Sequence, residues 1–331
     1  MKRQQEVYIT MYASEKDILQ LVAKHKGDTS YDIVRAVEEL EIRSFIESTG
    51  GTKGDYYHKS MLNRILKEGY QDVNPRPKYT DGTPAYTISV NESMQKYDIS
   101  KGESPLLTLR PIAWKSAVKE ILWIYQLQDN KLSTLHDMNI YYWDEWDIGD
   151  GTIGQRYGAT VRKYDLMNEL LSGLQSNPYG RRHIMNMWQN EDFKTPGLPP
   201  CCFMTTWNVR NDGNGKEYLD MEMKQRSSDF ATSVSINELQ YIALLLMVAR
   251  HCGYEPGVFT HVTTNVQIYD RHIENAKTLL SRQPVPCKPN LILDTEKTNF
   301  YDFTIDDFKL IDYPVSKIKE TNPQLKFDLG I

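Results

Sequence analysis

The sequence predicts an α+β protein, with a mixed, antiparallel-rich sheet packed by long helices. Three observations lead there. The apolar run Ile242 to Ala249 follows Ser235 and Glu238, which have the spacing of a capping box, so a buried helix is expected over Leu239 to His251. Cys202 to Arg210 and Lys216 to Lys224 read as extended and flank Asn211-Asp212-Gly213-Asn214-Gly215, a hairpin turn. From about Asp55 onward, further helical and extended stretches are mixed.

Taken in order, Ser14 with Asp17 resembles a capping box and opens a first helix through Ile18, Leu19, Leu21 and Val22. The turn Lys26-Gly27-Asp28-Thr29-Ser30 separates it from a second stripe of Ile33, Val34, Val37, Leu40 and Phe45. Ser48-Thr49-Gly50-Gly51-Thr52-Lys53-Gly54 then reads as a flexible linker. Residues 1–52 are therefore expected to form a helical N-terminal extension plus linker, and 53–331 the main domain. Removing 1–52 is expected to leave a folded protein. Tyr57 to Lys67 reads as a helix, Ala85 to Val90 as a strand, and Trp114 to Leu127 as one apolar helix. Met185 to Trp188, Asn265 to Tyr269 and Tyr301 to Phe308 add short segments. There is no internal repeat and no low-complexity tract.

Composition narrows the function classes. With 331 residues, 40% hydrophobic and 25% charged, the chain is ordinary for a globular protein. A net charge of -5 gives no global attraction to nucleic acid or to an anionic membrane. An anion site must then be a local arginine cluster. No apolar run approaches the roughly 18 residues that a membrane span needs. Met1-Lys2-Arg3-Gln4-Gln5 lacks the apolar core of a signal peptide, so a cytoplasmic location is expected.

Cys201 is the first candidate for chemistry among four cysteines, the others being Cys202, Cys252 and Cys287. Pro196-Gly197-Leu198-Pro199-Pro200 fixes the approach of the chain and sets this thiol at a rigid strand entrance. A free thiol titrates near ~8.5 and needs nearby cations to ionise around neutrality. Arg181, Arg182 and Arg226 are expected to supply that field. A small buried apolar role is the alternative for each cysteine. None has zinc-ligand spacing, so no metal is expected.

Other residues suggest a phosphate and a flat ring. Arg181-Arg182-His183 follows the turn Asn177-Pro178-Tyr179-Gly180, where two forked donors can meet a phosphate or simply face solvent. Gln225-Arg226-Ser227-Ser228-Asp229 ends a strand with an arginine and a serine, a phosphate-reading pair. Its aspartate is placed to hold a ring nitrogen or a water. Glu120 shares a helix face with Ala117 and Ile124; desolvation there raises a carboxylate pKa and suits general acid/base work. Trp143 and Trp146 can stack on a heterocycle or pack in the core.

Taken together, these stretches resemble the thymidylate synthase family from about Tyr57 to Ile331. The resemblance rests on Leu106-Leu107-Thr108, Lys119-Glu120-Ile121-Leu122-Trp123, Tyr142-Trp143-Asp144-Glu145-Trp146, Arg181-Arg182-His183-Ile184, Pro199-Pro200-Cys201, Gln225-Arg226-Ser227-Ser228-Asp229, Ser235-Ile236-Asn237 and Tyr301-Asp302-Phe303, in the family's order. Asp81-Gly82-Thr83-Pro84-Ala85, with no large central insertion, resembles a branch known from certain bacilli and their phages.

The resemblance implies a thymidylate synthase-like fold and a homodimer joined through a sheet face. It implies conversion of dUMP and methylenetetrahydrofolate to dTMP and dihydrofolate. Cys201 would be the nucleophile, with Glu120 and Tyr157 organising the proton-moving water. Arg226 and Ser227 would hold the phosphate, with Arg181 and Arg182 reaching in from the other subunit and Arg76 as a further ligand. Gln225 would help bind the substrate, and Asn237 would read the uracil edge. Gln267 and Tyr269 would meet the sugar. Asp229, Trp143, Trp146 and Ser233 would line the folate pocket, closed by the C-terminal Ile331.

The sequence departs from the family at Cys202, where histidine is usual. It departs again at Ser233, in a loop that usually carries glycine, and at Gln267, where histidine is usual. A side chain at 233 is expected to obstruct the folate. Two other readings follow from these departures. One is a pyrimidine-nucleotide hydroxymethylase of the same family; the other is a non-catalytic nucleotide- or RNA-binding relative. Asn237 favours uracil over cytosine, since cytosine-specific relatives carry aspartate there.

Overall fold

The computed structural model describes residues 12–25, 27–328 and 330. Helices α1 (Glu15–Lys24), α2 (Ser30–Thr49) and α3 (Lys53–Glu68) come first. Strands β1 (Tyr70–Gln71) and β2 (Thr87–Asp98) follow, then α4 (Trp114–Ile121), α5 (Leu132–Asp137), α6 (Gly158–Lys163) and α7 (Leu166–Ser176). Next come β3 (Ile184–Asn186), β4 (Cys202–Asn211), β5 (Glu217–Asp229), α8 (Val234–Cys252) and β6 (Glu255–Tyr269). The chain ends with α9 (Ile273–Ser281), β7 (Asn290–Leu293), β8 (Phe308–Ile311) and α10 (Val315–Thr321).

The main sheet has six strands in the order β1-β2-β6-β5-β4-β3. Only β5 and β6 run parallel; the other neighbours are antiparallel, as the mixed, antiparallel-rich reading expects. A parallel pair needs a crossover, and α8 supplies it. That helix is buried nearly all round, from Leu239 through Ala249, because it lies between the sheet and α4.

One face of β5 and β6 positions the site. Alternate residues Leu219, Met221, Met223 and Gln225 of β5 are buried, as are Phe259, His261 and Thr263 of β6. Continuing with the same alternation, Ser227 and Asp229 of β5, and Asn265 and Gln267 of β6, are only half-buried. The register pairs Ser227 with Asn265 and Asp229 with Gln267. The face therefore emerges from the core at the carboxyl ends of the two parallel strands, where ligands enter open sheets.

Several elements differ from expectation. The helix expected to open on Ser235 begins at Val234, after Ser233, and Ser235 Oγ is buried without a hydrogen-bond partner. Glu238 caps nothing; it faces His261 and Tyr97 inside the core. The helix expected over Trp114 to Leu127 changes at Leu122 into a π-helical segment, Leu122–Gln126, a distortion frequent at functional sites. The short segment at Asn265 is the end of a fifteen-residue strand whose earlier polar residues, His261 and Thr263, hid its alternation. The strand begun at Ala85 extends as β2 to Asp98, and the segment at Met185 to Trp188 is strand only over Ile184–Asn186.

The glycine segment after α2 is short and packed. Gly50 closes α2 with a φ of 69°, and Thr52 caps α3 in a reciprocal box with Asp55. Gly51 and Thr52 are buried, and Phe45 packs edge-on against Tyr12 and Tyr56. The segment between the two helices is therefore not a flexible spacer.

Candidate active site

Cys201 lies where β4 begins, and its carbonyl accepts the Arg226 backbone N–H at 2.9 Å. The Arg226 guanidinium is clamped onto the proline entrance. Its Nε donates to the Pro200 carbonyl at 3.0 Å and its Nη2 to the Pro199 carbonyl at 2.8 Å. The same Nη2 stands 3.5 Å from Cys201 Sγ. The Pro-Pro approach thus orients the cation as well as the thiol. Tyr157 completes the seat, its hydroxyl accepting the Cys201 N–H at 3.2 Å. Tyr157 has φ 47° and ψ −111°, a strained backbone for a non-glycine residue, and strain of this kind clusters at active sites.

The electrostatics correct one expectation. Burial raises the Cys201 thiol above its ordinary value, and Arg226 only partly opposes this. Arg181 and Arg182 do not contribute. They are exposed, with no side-chain hydrogen bond or ion pair among the described residues. Their neighbour Ile184 pairs with Thr206, five positions beyond Cys201 on β4. At ~3.3 Å per residue, that is about 17 Å from the thiol. In a single chain, burial favours the neutral form of the Cys201 thiol and Arg226 opposes it.

Glu120 is buried, and the Tyr142 hydroxyl donates to its Oε2. Burial raises its carboxyl above the usual range, with the Tyr142 hydroxyl and the nearby Gln240 amide only partly offsetting the loss of water. Behind it, Trp143 stacks edge-on against Tyr157 at 5.1 Å and against Trp146 at 5.4 Å between centroids. Trp143 is buried in the core cluster, its indole close enough to Glu120 to lower that carboxyl's pKa, and Trp146 is half-buried.

The open end of the sheet face collects the remaining candidates. Asn237, on the first turn of α8, accepts the Gln225 Nε2 at 3.2 Å and donates to Gln240 Oε1 at 3.0 Å. Ser227 Oγ and Gln267 Oε1 both accept from Asn265 Nδ2, at 3.0 and 2.7 Å. Asp229 Oδ1 is buried with no partner, while its Oδ2 lies 3.4 Å from His272 Nδ1. Tyr269 is buried, its hydroxyl pushed up to about 12 by burial and by Asp229 and Cys201; Arg76 opposes this and so lies nearby, exposed. The Tyr269 hydroxyl donates to the Gly330 carbonyl at 3.5 Å, which brings the chain's end to the site; Ile331 itself lies outside the described residues. Ser233 Oγ folds back onto the Asp229 carbonyl at 3.0 Å, and its φ of −106° needs no glycine.

The sequence reading missed Tyr142, Asn265 and Gln240. Tyr142 was within reach as the first residue of its aromatic motif. Asn265 stood two positions before Gln267 and four before Tyr269, the spacing of one strand face.

The model of the family described as thymidylate synthase matches residues 56–323. The chain belongs to the thymidylate synthase family. It is 48% identical over 284 residues to the thymidylate synthase of Streptococcus pneumoniae (strain 70585), covering 85% of this chain and 100% of that protein. The same figures hold for the thymidylate synthase of Streptococcus gordonii (strain Challis). Among solved structures, the thermostable thymidylate synthase A of Bacillus subtilis superposes with a TM-score of 0.75 at 36% identity, over 84% of this chain and 99% of that one.

Thymidylate synthases work with a folate co-substrate. The residues fit such a partner: the buried, unpartnered Asp229 Oδ1 is an acceptor in need of a donor. Among the described residues no three His, Cys, Asp or Glu converge to hold a metal ion, and no helix is long and apolar enough to cross a membrane.

Proposed function

We propose that this chain catalyses the reductive methylation of dUMP to dTMP. The observation that carries the reading is the seat of Cys201, with Arg226 at 3.5 Å from the sulfur beside the open end of the sheet face. Cys201 Sγ, once deprotonated, adds to carbon 6 of the uracil, and carbon 5 becomes nucleophilic. Arg226 and Ser227 take the phosphate. Asn237 reads the uracil edge, and Tyr269 with Gln267 meets the sugar. Methylenetetrahydrofolate supplies the one-carbon unit and the hydride, and leaves as dihydrofolate. Asp229 accepts from its pterin, with Trp143, Trp146 and Ser233 beside it. The proton leaving carbon 5 passes to water held by Glu120 and Tyr157. Loss of the Cys201 sulfur from carbon 6 then restores the ring.

The working unit is a homodimer. The outer face of the sheet leaves Met94 and Ile184 each 55% exposed, which suits a buried contact with a second copy. Arg181 and Arg182, exposed and without a side-chain hydrogen bond or ion pair among the described residues, would reach the partner's phosphate site. Four unpaired thiols fit a reducing compartment, in line with a cytoplasmic enzyme.

The test is a covalent ternary complex with 5-fluoro-dUMP and methylenetetrahydrofolate, read as a mass increase on the intact protein. The increase is expected with the parent and absent with Cys201→Ala, whose turnover falls at least about 10⁴-fold. Consumption of dUMP without dihydrofolate formation would instead favour hydroxymethylation. Failure of the parent to bind either ligand would favour the non-catalytic relative.

A further inference from the structure

Beneath Asn237 runs a buried polar chain. Tyr97 donates to Glu238 at 3.2 Å, and Glu238 Oε1 lies 3.2 Å from His261 Nδ1. His261 Nε2 lies 2.9 Å from Gln225 Oε1 and 2.9 Å from Thr263 Oγ. Gln225 Nε2 reaches both the Ser227 carbonyl at 3.0 Å and Asn237 Oδ1 at 3.2 Å. Tyr97, Glu238, His261 and Gln225 are all buried, so each contact replaces water that cannot enter.

The orientations in this chain are forced one by one. The Ser227 carbonyl can only accept, so the nitrogen of Gln225 must face it. Its oxygen then faces His261, whose Nε2 must carry a hydrogen. Glu238 occupies the other ring nitrogen and fixes the imidazole plane, either as carboxylate to an imidazolium or as a protonated acid to a neutral ring. Both states keep the hydrogen on Nε2. Gln225 in turn offers its second N–H to Asn237, which must answer with oxygen and turn its nitrogen toward Gln240. Each end of the Asn237 amide keeps capacity for one more bond. The oxygen can accept from the N3–H of uracil and the nitrogen can donate to O4. Cytosine presents the opposite pattern, an acceptor at N3 and a donor at N4.

We propose that His261, held by Glu238, is a positioning residue that fixes the Asn237 amide through Gln225 and thereby sets the preference for uracil over cytosine. His261 touches no substrate. It acts by anchoring the oxygen end of Gln225, while the Ser227 carbonyl anchors the nitrogen end. This inference rests on the dUMP reading of the site.

The test compares dUMP and dCMP binding to the full-length protein by calorimetry, alongside the steady-state KM and kcat for dUMP. His261→Leu removes the anchor and is expected to reduce the dUMP-over-dCMP preference about tenfold, the effect appearing in KM more than in kcat. His261→Gln places an amide N–H near the position of Nε2 and is expected to restore the parental preference within a few fold. If His261→Leu does not fold, His261→Asn takes its place. Its shorter amide can still meet Glu238 but cannot reach Gln225, and the same tenfold loss is expected. Parental preference in a folded His261→Leu or His261→Asn protein overturns the proposal, as does failure of His261→Gln to rescue. If the parent itself does not bind dUMP, the functional reading fails and not the positioning role.

Discussion

Along β5 and β6 a single sheet face runs from Met221, Met223 and Phe259 beneath α8 to Ser227, Asp229, Asn265 and Gln267 at its open end. At the covered end, the polar groups of β5, β6 and α8 are paired with one another, Glu238 with His261 and Tyr97 and His261 with Gln225 and Thr263, while Ser93 Oγ and Gln95 Oε1 on the neighbouring β2 lack partners among the described residues. At the open end Asp229 Oδ1 has no partner among the described residues, and burial pushes the Cys201 thiol up while Arg226 opposes it. Unpaired buried polar groups cost stability, so the covered end spends its polar residues on order and the open end holds some in reserve for ligands. The same alternation of side chains thus makes core and site, and the length of α8 decides where one becomes the other.

This contrast can be broken by changing one end at a time. Beside the open end, Glu120→Gln is expected to lower kcat about 10²- to 10³-fold, checked by dTMP formation, because the group proposed to move protons is lost. The same variant should alter stability with a definite sign. Burial holds Glu120 protonated at pH values where the unfolded chain has ionised it. Its contribution is present below the ordinary carboxylate range and is lost as pH rises through the raised value. The melting temperature of the parent should therefore fall relative to Glu120→Gln as pH rises from the ordinary carboxylate range upward; parallel curves would refute it. At the covered end, Leu244→Ala, at a fully buried position in α8, should cost about 3 kcal/mol of stability by denaturant unfolding while leaving the KM for dUMP unchanged. The smallest effect is expected away from the sheet. Leu19 is 61% exposed on α1, a helix without buried residues, and Leu19→Glu should change stability by no more than about 0.5 kcal/mol.

Much of the site was legible because its residues sit in short contiguous motifs. Pro199-Pro200-Cys201 and Gln225 to Asp229 each carry their geometry locally: prolines fix the entrance, and strand alternation points Ser227 and Asp229 the same way. Glu120 was legible because its neighbours at helical spacing are apolar. The thiol field was not legible, since it depends on which arginines fold within reach of Cys201, and among the described residues of one chain Arg226 is the one that does. The helix start at Val234 was misread because Ser235 and Glu238 have capping-box spacing while their side chains answer to burial and to His261.

The sequence by itself determined the fold class, the hairpin at Asn211 to Gly215 and the buried helix that follows Asn237, and it singled out Cys201 as the candidate thiol. Periodicity, turn chemistry and proline geometry act over a few residues and need no tertiary context. Only the tertiary structure decided that β5 and β6 lie parallel, that Asn265 joins Ser227 to Gln267, and that His261 and Glu238 stand beneath Asn237. Those are contacts between segments far apart in the chain, and their partners are set by strand register and helix packing, which no local pattern records.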